Sequence, residues 1–95
     1  MVKNVVLDCE KLVQKEQAHQ YLAKLLEFPD YYGKNLDALF DCLTELGECT
    51  ITFAGMEDFC LDDSYALKVL EVFEEAASAN PRIKLEKQEE AQYGL

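Results

Sequence analysis

The sequence predicts an α/β domain: a small parallel sheet of three strands packed with three or four helices. Three short segments have the β-branched and apolar residues, or the alternation of apolar and charged residues, that are typical of strands. Between them lie stretches whose apolar residues recur at helical spacing. Along the chain the order is β, α, α, β, short α, α, β. Because helical crossovers separate the strands, we expect parallel pairing with right-handed connections. Three strands offer little area, so helices should cover mainly one face of the sheet.

The first strand and the first helix lie before Pro29. The apolar run Val5-Val6-Leu7 predicts a buried strand, which Asp8 closes. From about Gln14 the apolar residues follow helical spacing, and Pro29 ends that helix. No Ser, Thr, Asp or Asn stands where it would cap the start of this helix.

A turn at 29–33 leads into the second helix and the second strand. Asn35 can cap a helix that we expect to run to about Leu46, with Gly47 as its stop. The run Thr50–Phe53 is rich in β-branched residues and lies between glycines, so it predicts a strand.

The last third of the chain predicts two helices and a strand. A short helix is expected over 56–60, and a longer one begins after a cap at one of residues 62–64 and ends at Asn80-Pro81. Ile83 and Leu85 alternate with charged residues, which is typical of a half-buried strand.

Size and cysteine usage point to one intracellular domain. The chain has 95 residues, of which 49% are apolar, so we expect a single domain over 1–87 and a polar tail over 88–95. The four cysteines form no C-x-x-C pair and no His cluster accompanies them, which argues against a zinc site. We expect a cytoplasmic protein without metal or cofactor; the pattern leaves the redox state of Cys9, Cys42, Cys49 and Cys60 open.

The charge balance indicates the kind of partner. Nine basic and nineteen acidic residues give a net charge of −10. Such a surface disfavours direct binding of nucleic acid or of anionic membranes. It favours a partner with a basic surface, because opposite fields speed encounter, although net charge alone is also explained by solubility.

The second helix has two distinct faces. At about 100° per residue, four leucines fall within an arc of about 80° that forms the core stripe: Leu36, Leu39, Leu43 and Leu46. The opposite side carries two carboxylates, an aromatic ring and a hydroxyl: Asp37, Phe40, Asp41 and Thr44. Like charges one turn apart repel, and an exposed Phe does not help folding, so these residues suggest a binding face. The alternative is a solvated acidic face with one exposed Phe.

The stretch Phe28–Thr44, FPDYYGKNLDALFDCLT, resembles the central motif of the barstar family, the intracellular inhibitors of barnase-like ribonucleases. The match is a long and nearly continuous string at fixed spacing. Val69–Ala76 is similar to the last helix of the family. The similarity covers about Val2–Glu86, and the family's fold agrees with the order of elements above.

The resemblance implies a monomeric ribonuclease inhibitor that forms a 1:1 complex with a basic ribonuclease and needs no cofactor. The second helix and the loop before it would enter the active site, where Asp41 would take the place of the substrate phosphate. The residues that would face the enzyme are Tyr31, Leu36, Asp37, Ala38, Asp41, Thr44 and, from the last helix, Glu75. We add Phe40 from its place on the outer face.

Three departures from the family motivate an alternative. Phe40 and Leu46 stand where the family's inhibitor has Trp, and Ala79 stands where it has an acid. An adaptor or regulatory module of the same fold that recognises a non-nuclease protein is therefore a second hypothesis. A third is a small enzyme that uses Asp37 and Asp41, which requires a concave pocket around them. We expect His19 to have a structural role or to lie on the surface.

Overall fold

The structure, a computed structural model, describes residues 3–88. The strands are β1 (Lys3–Asp8), β2 (Cys49–Ala54) and β3 (Ile83–Lys87). The helices are α1 (Lys15–Leu25), α2 (Leu36–Thr44), α3 (Met56–Phe59) and α4 (Tyr65–Ala79). The α/β class and the order of elements are confirmed; a 3₁₀ helix at Cys9–Leu12 was not predicted. Most of the expected polar tail, 89–95, lies outside the described residues.

The three strands form one parallel sheet in the order β1-β2-β3. One face is apolar and buried, and Val5, Ile51 and Leu85 stand side by side on it. The other face alternates with it and carries mostly polar residues of intermediate or full exposure. The prediction of a strand buried throughout Val5–Leu7 is wrong at Val6, whose side chain is 59% exposed, because the helices cover one face only.

The core lies between the buried face of the sheet and the helices. Phe53 of β2 and Phe73 of α4 meet edge to face with their ring centroids 5.3 Å apart. Helices α2 and α4 pack against each other, and Leu39 and Leu43 of α2 are completely buried. This packing holds α2 with one face inward and the opposite face available to solvent.

Side-chain caps begin two helices; Asn35 is the predicted cap of α2, and Ser64 is the cap of α4 among the three candidates at 62–64. Asn35 Oδ1 accepts a hydrogen bond of 2.7 Å from the Ala38 amide at the start of α2. Ser64 Oγ accepts one of 3.1 Å from the Leu67 amide at the start of α4. Helix α1 follows Gln14, whose side chain forms no capping bond.

The end of α2 is determined by a residue from the other end of the chain. The helix stops at Thr44, two residues before the predicted end at Leu46. The buried Asn80, at the end of α4, donates through Nδ2 to the carbonyls of Leu43 at 3.0 Å and Leu46 at 3.1 Å. Its Oδ1 accepts from the Arg82 amide at 3.0 Å. Asn80 thus adds a second donor to each of these carbonyls, since Leu43 also accepts from the Leu46 amide at 3.2 Å and Leu46 also accepts from Arg82 Nε at 3.1 Å.

His19 links three parts of the fold. Its side chain is 1% exposed, its Nδ1 lies 2.6 Å from the hydroxyl of Tyr32, and its Nε2 lies 2.6 Å from the hydroxyl of Tyr65. Burial, with a smaller contribution from the positive charge of Lys15, lowers the pKa of His19 below its usual 6.5. A neutral imidazole has one donor and one acceptor, so one tyrosine donates to the ring and the other accepts.

The four cysteines are free thiols, and Cys9 and Cys49 are buried in the core. Burial is the main reason why the pKa of the Cys9 thiol rises to about 12. Between residues 3 and 88, no three metal-ligating side chains are grouped as a metal ion would require. None of the helices in that range combines the length and apolarity needed to cross a membrane.

We expect Asn80→Ala to lower the free energy of unfolding by about 1–3 kcal/mol, because buried carbonyls at the end of α2 lose a donor. The control is Asn4→Ala on the exposed face of β1, which should stay within about 0.5 kcal/mol of the unmodified protein. Urea unfolding followed by circular dichroism measures both. Equal losses for the two variants would contradict the role of Asn80.

We also expect the fold to lose stability as the pH falls from 7.5 to 5.5. The histidine of the unfolded chain binds a proton near pH 6.5, whereas His19 in the folded chain binds it only at lower pH. The contribution of neutral His19 to the free energy of unfolding is therefore complete above pH 6.5 and declines below it. The decline is at most about 1.4 kcal/mol for each pH unit between the two pKa values.

Urea unfolding across this pH range tests the expectation, with His19→Gln as the comparison. His19 is the single histidine of the chain, so the variant should be less stable at pH 7.5 and vary less with pH. A variant with the same pH dependence as the unmodified protein would contradict it.

Candidate functional site

The loop between α1 and α2 separates two neighbouring tyrosines. Tyr31 is 87% exposed, whereas Tyr32 is 7% exposed. The Tyr32 ring packs on Phe28 with a centroid separation of 4.8 Å, and its hydroxyl is bonded to His19. One tyrosine therefore anchors the loop, and the other is presented to solvent.

Short contacts join the loop to the start of α2. Asn35, the cap of α2, also donates through Nδ2 to the Gly33 carbonyl at 3.3 Å. A Cβ on Gly33 would lie 3.3 Å from the Cβ of Ala38, so the backbone approaches the helix closely here. Lys34 has a φ of 57°, a left-handed conformation that is uncommon for a residue with a side chain. The loop and the first turn of α2 thus form one continuous surface.

The outer face of α2 presents its two carboxylates to solvent. Asp37 and Asp41 are both exposed, and neither forms an ion pair or a side-chain hydrogen bond within the described range 3–88. Thr44 is half-buried, and its Oγ1 donates to the Asp41 carbonyl at 2.8 Å. Because the side chains of Asp and Thr are short, Asp37, Asp41 and Thr44 hold their oxygens close to the helix backbone.

The prediction that Phe40 is exposed on the outer face of α2 is wrong. Its side chain is half-buried and packs against the core, whereas we expected it to be fully exposed. On a helical wheel Phe40 lies only about 40° from Leu36, at the edge of the core stripe, so its ring reaches the interior. Leu36 and Ala38 are likewise half-buried.

Helix α4 contributes a separate group of exposed acids. Glu75 is exposed on this helix, which packs beside α2, but no hydrogen bond or ion pair among the described residues joins Glu75 to the loop or to α2. The three positions that depart from the family differ in exposure: Phe40 and Leu46 are half-buried, and Ala79 is exposed. The structure therefore brings the predicted loop and α2 residues together and leaves the place of Glu75 in the site a prediction.

The two carboxylates of α2 are open to solvent. Asp37 and Asp41 lie on the open outer face of α2. A cavity of about 310 Å³ lies elsewhere, at one end of the sheet, and is lined by Lys3, Leu26, Leu46, Gly47, Glu48 and Cys49. Acid–base catalysis needs groups that converge on a bound substrate, and an exposed helix face is better suited to contact a protein.

Sequence reasoning missed the residues that hold the loop. It named Tyr31 as a contact residue, assigned no role to Tyr32, and gave no partner to His19 or Tyr65. A single His and several Tyr spread over the chain carry no local pattern. Their association depends on helices that are distant in sequence, so no spacing rule would have found it.

Comparisons with known proteins identify the family of the chain. The family model described as "Barstar (barnase inhibitor)" matches residues 2–92. A protein of Bacillus subtilis (strain 168) named "Putative ribonuclease inhibitor YrdF" is 39% identical over 79 residues, which cover 79% of this chain and 86% of that protein. The match includes the loop, both packed helices and all three strands, and on this evidence the chain belongs to the barstar family.

Proposed function

We propose that this protein inhibits a secreted ribonuclease of the barnase type by inserting the outer face of α2 and the preceding loop into the active site. Membership of the barstar family and the name of the Bacillus relative support a ribonuclease-inhibitor role. The observation that carries the mechanism is the pair Asp37 and Asp41, exposed and without charged partners among the described residues. The contact residues are those that the family resemblance implies, together with Phe40.

The carboxylate of Asp41 acts as a substitute for a phosphate. A ribonuclease binds the phosphate of its substrate with cationic and hydrogen-bonding side chains, and a carboxylate accepts the same charge-assisted hydrogen bonds. In this inhibitor the carboxylate is held by a helix whose opposite face is buried. Little conformational freedom is lost on binding, which favours affinity.

The charge of the whole molecule supports fast association. With a net charge of −10, the inhibitor attracts a basic enzyme from a distance. Exposed Tyr31 extends the contact beyond the carboxylates with a ring that buries much area at small entropic cost. The complex is 1:1 and forms in the cytoplasm of the producing cell, where free thiols such as those of this chain persist.

The decisive experiment titrates the protein against a panel of small secreted ribonucleases and follows cleavage of a fluorescent RNA. Stoichiometric inhibition of at least one basic ribonuclease is the expected result. Inhibition of none, together with recovery of only non-nuclease proteins in a pull-down, would contradict the proposal and favour the adaptor hypothesis. Phe40, Leu46 and Ala79 make it informative to include enzymes other than barnase.

We expect Asp41→Ala to weaken inhibition by about 2–4 kcal/mol, roughly 30- to 1,000-fold, as for a central interface residue. The fold should become slightly more stable, by about 0.2–0.5 kcal/mol, because a like-charge pair in α2 is removed. A variant that inhibits more weakly but unfolds less easily has lost a binding residue, whereas loss of a structural residue would lower the free energy of unfolding. Inhibition constants and urea unfolding give the two values.

The control for this substitution is Asp58→Ala, which removes an exposed carboxylate from α3. It should leave inhibition within about threefold. If Asp41→Ala were equally harmless, the assignment of α2 to the interface would be wrong.

Association should slow by about tenfold or more between 10 mM and 500 mM salt, because salt screens the attraction between the two proteins. Stopped-flow measurement of the association rate gives the slope. Neutralising one carboxylate of α2 with Asp41→Asn should reduce that slope. Neutralising a distant carboxylate with Glu86→Gln on the open face of the sheet should reduce it less. Equal slopes in both cases would contradict local steering by α2.

A further inference from the structure

The loop before α2 is held to the rest of the fold mainly by one residue. Over residues 29–35, Tyr32 is buried and the other six are exposed. The loop's other hydrogen bonds are local: the Tyr32 amide donates to the Pro29 carbonyl at 3.0 Å, and Asn35 bonds within its own turn. The position of the loop therefore depends on how firmly the Tyr32 side chain is fixed.

A chain of hydrogen bonds fixes that side chain from two helices. The Tyr32 hydroxyl is bonded to His19 in α1, and the other nitrogen of His19 is bonded to the hydroxyl of Tyr65, the first residue of α4. The His19 ring also contacts both tyrosine rings, with centroid separations of 5.7 Å to Tyr32 and 5.6 Å to Tyr65. Both ring nitrogens are satisfied, so this orientation of the imidazole is strongly preferred over a flipped or exposed one.

Fixing Tyr32 also determines the direction of Tyr31. The two residues are adjacent, and one is buried while the other is 87% exposed. The Tyr32 side chain is directed inward, and that of its neighbour Tyr31 is exposed in the loop that leads into α2. If the inward tyrosine were released, the exposed ring would have several orientations in the free protein, and binding would have to select one of them.

We propose that His19 and Tyr32 are positioning residues that hold Tyr31 in its binding orientation. This role rests on the proposed function, because it acts through the contact that Tyr31 makes with the ribonuclease. Neither residue touches the partner; their contribution is the preorganisation of the loop.

The test uses Tyr32→Phe, which removes the hydroxyl and keeps the ring that packs on Phe28. Amide hydrogen exchange over residues 28–35 in the free protein should become about tenfold faster, since local opening is easier. The inhibition constant for a ribonuclease that the unmodified chain inhibits should weaken about tenfold. His19→Gln is a second variant with the same expected direction.

A matched control is Tyr21→Phe, also on α1. The Tyr21 hydroxyl accepts a hydrogen bond of 2.9 Å from the Asp8 amide, and neither residue belongs to the loop over 29–35. This variant loses one hydroxyl bond, as Tyr32→Phe does, and should be destabilised to a similar degree. Its inhibition constant should stay within about twofold, because inhibition depends on the loop and not on overall stability.

Two double-mutant cycles separate positioning from a general structural effect. In a Tyr31→Ala background the loss caused by Tyr32→Phe should shrink to about twofold, because the ring that it orients is gone. In an Asp41→Ala background the loss should remain about tenfold, because that contact lies on the helix. Equal losses in both backgrounds would overturn the positioning role.

The same data distinguish failure of this role from failure of the proposed function. If Asp41→Ala and Tyr31→Ala weaken inhibition while Tyr32→Phe does not, the positioning role is wrong and the function stands. If no ribonuclease is inhibited, or Asp41→Ala is harmless, the proposed mechanism is wrong, and this role falls with it.

Discussion

The burial of one face of α2 is the interaction on which the rest of the structure depends. Leu39 and Leu43 of this helix are completely buried, and each contributes about 1.5–3 kcal/mol by leaving water. The repulsion between Asp37 and Asp41 on the opposite face costs about 0.2–0.5 kcal/mol. The first effect is several times larger than the second, so the fold carries an unpaired acidic face at small cost. That difference leaves the carboxylates free for a partner.

Polar contacts at both ends keep this helix in place. Asn35 caps its first turn, and Asn80 binds the carbonyls at its last turn from the end of α4. His19 and Asn80 are the buried polar residues among those described, and each connects elements that are distant in sequence. Every buried side-chain nitrogen and oxygen between residues 3 and 88 has a hydrogen-bond partner. Since an unsatisfied buried polar group is costly, these networks select one arrangement of the helices.

Rigidity and charge act together in the proposed inhibitor. A helix fixed at both ends and a loop anchored through Tyr32 present their acceptors without further ordering, which lowers the cost of association. The field of an acidic protein brings a basic enzyme to that surface quickly. The half-buried Phe40 contributes to the rigidity of this surface, because its ring packs against the core while its position on the helix borders the carboxylates.

Local patterns in the sequence were sufficient for the α/β class, the order of elements, the cap Asn35, the three residues among which the cap of α4 lies, and the motif that carries the family resemblance. These features depend on residues within a few positions of each other, where periodicity and hydrogen-bonding rules apply. The exposed side of Val6, the half-buried ring of Phe40 and the early end of α2 followed only from the tertiary structure. So did the bonds of His19 with Tyr32 and Tyr65 and those of Asn80. Each of these features depends on which elements meet in space. The spacing of residues along the chain does not contain the spatial distance between elements that are far apart in sequence.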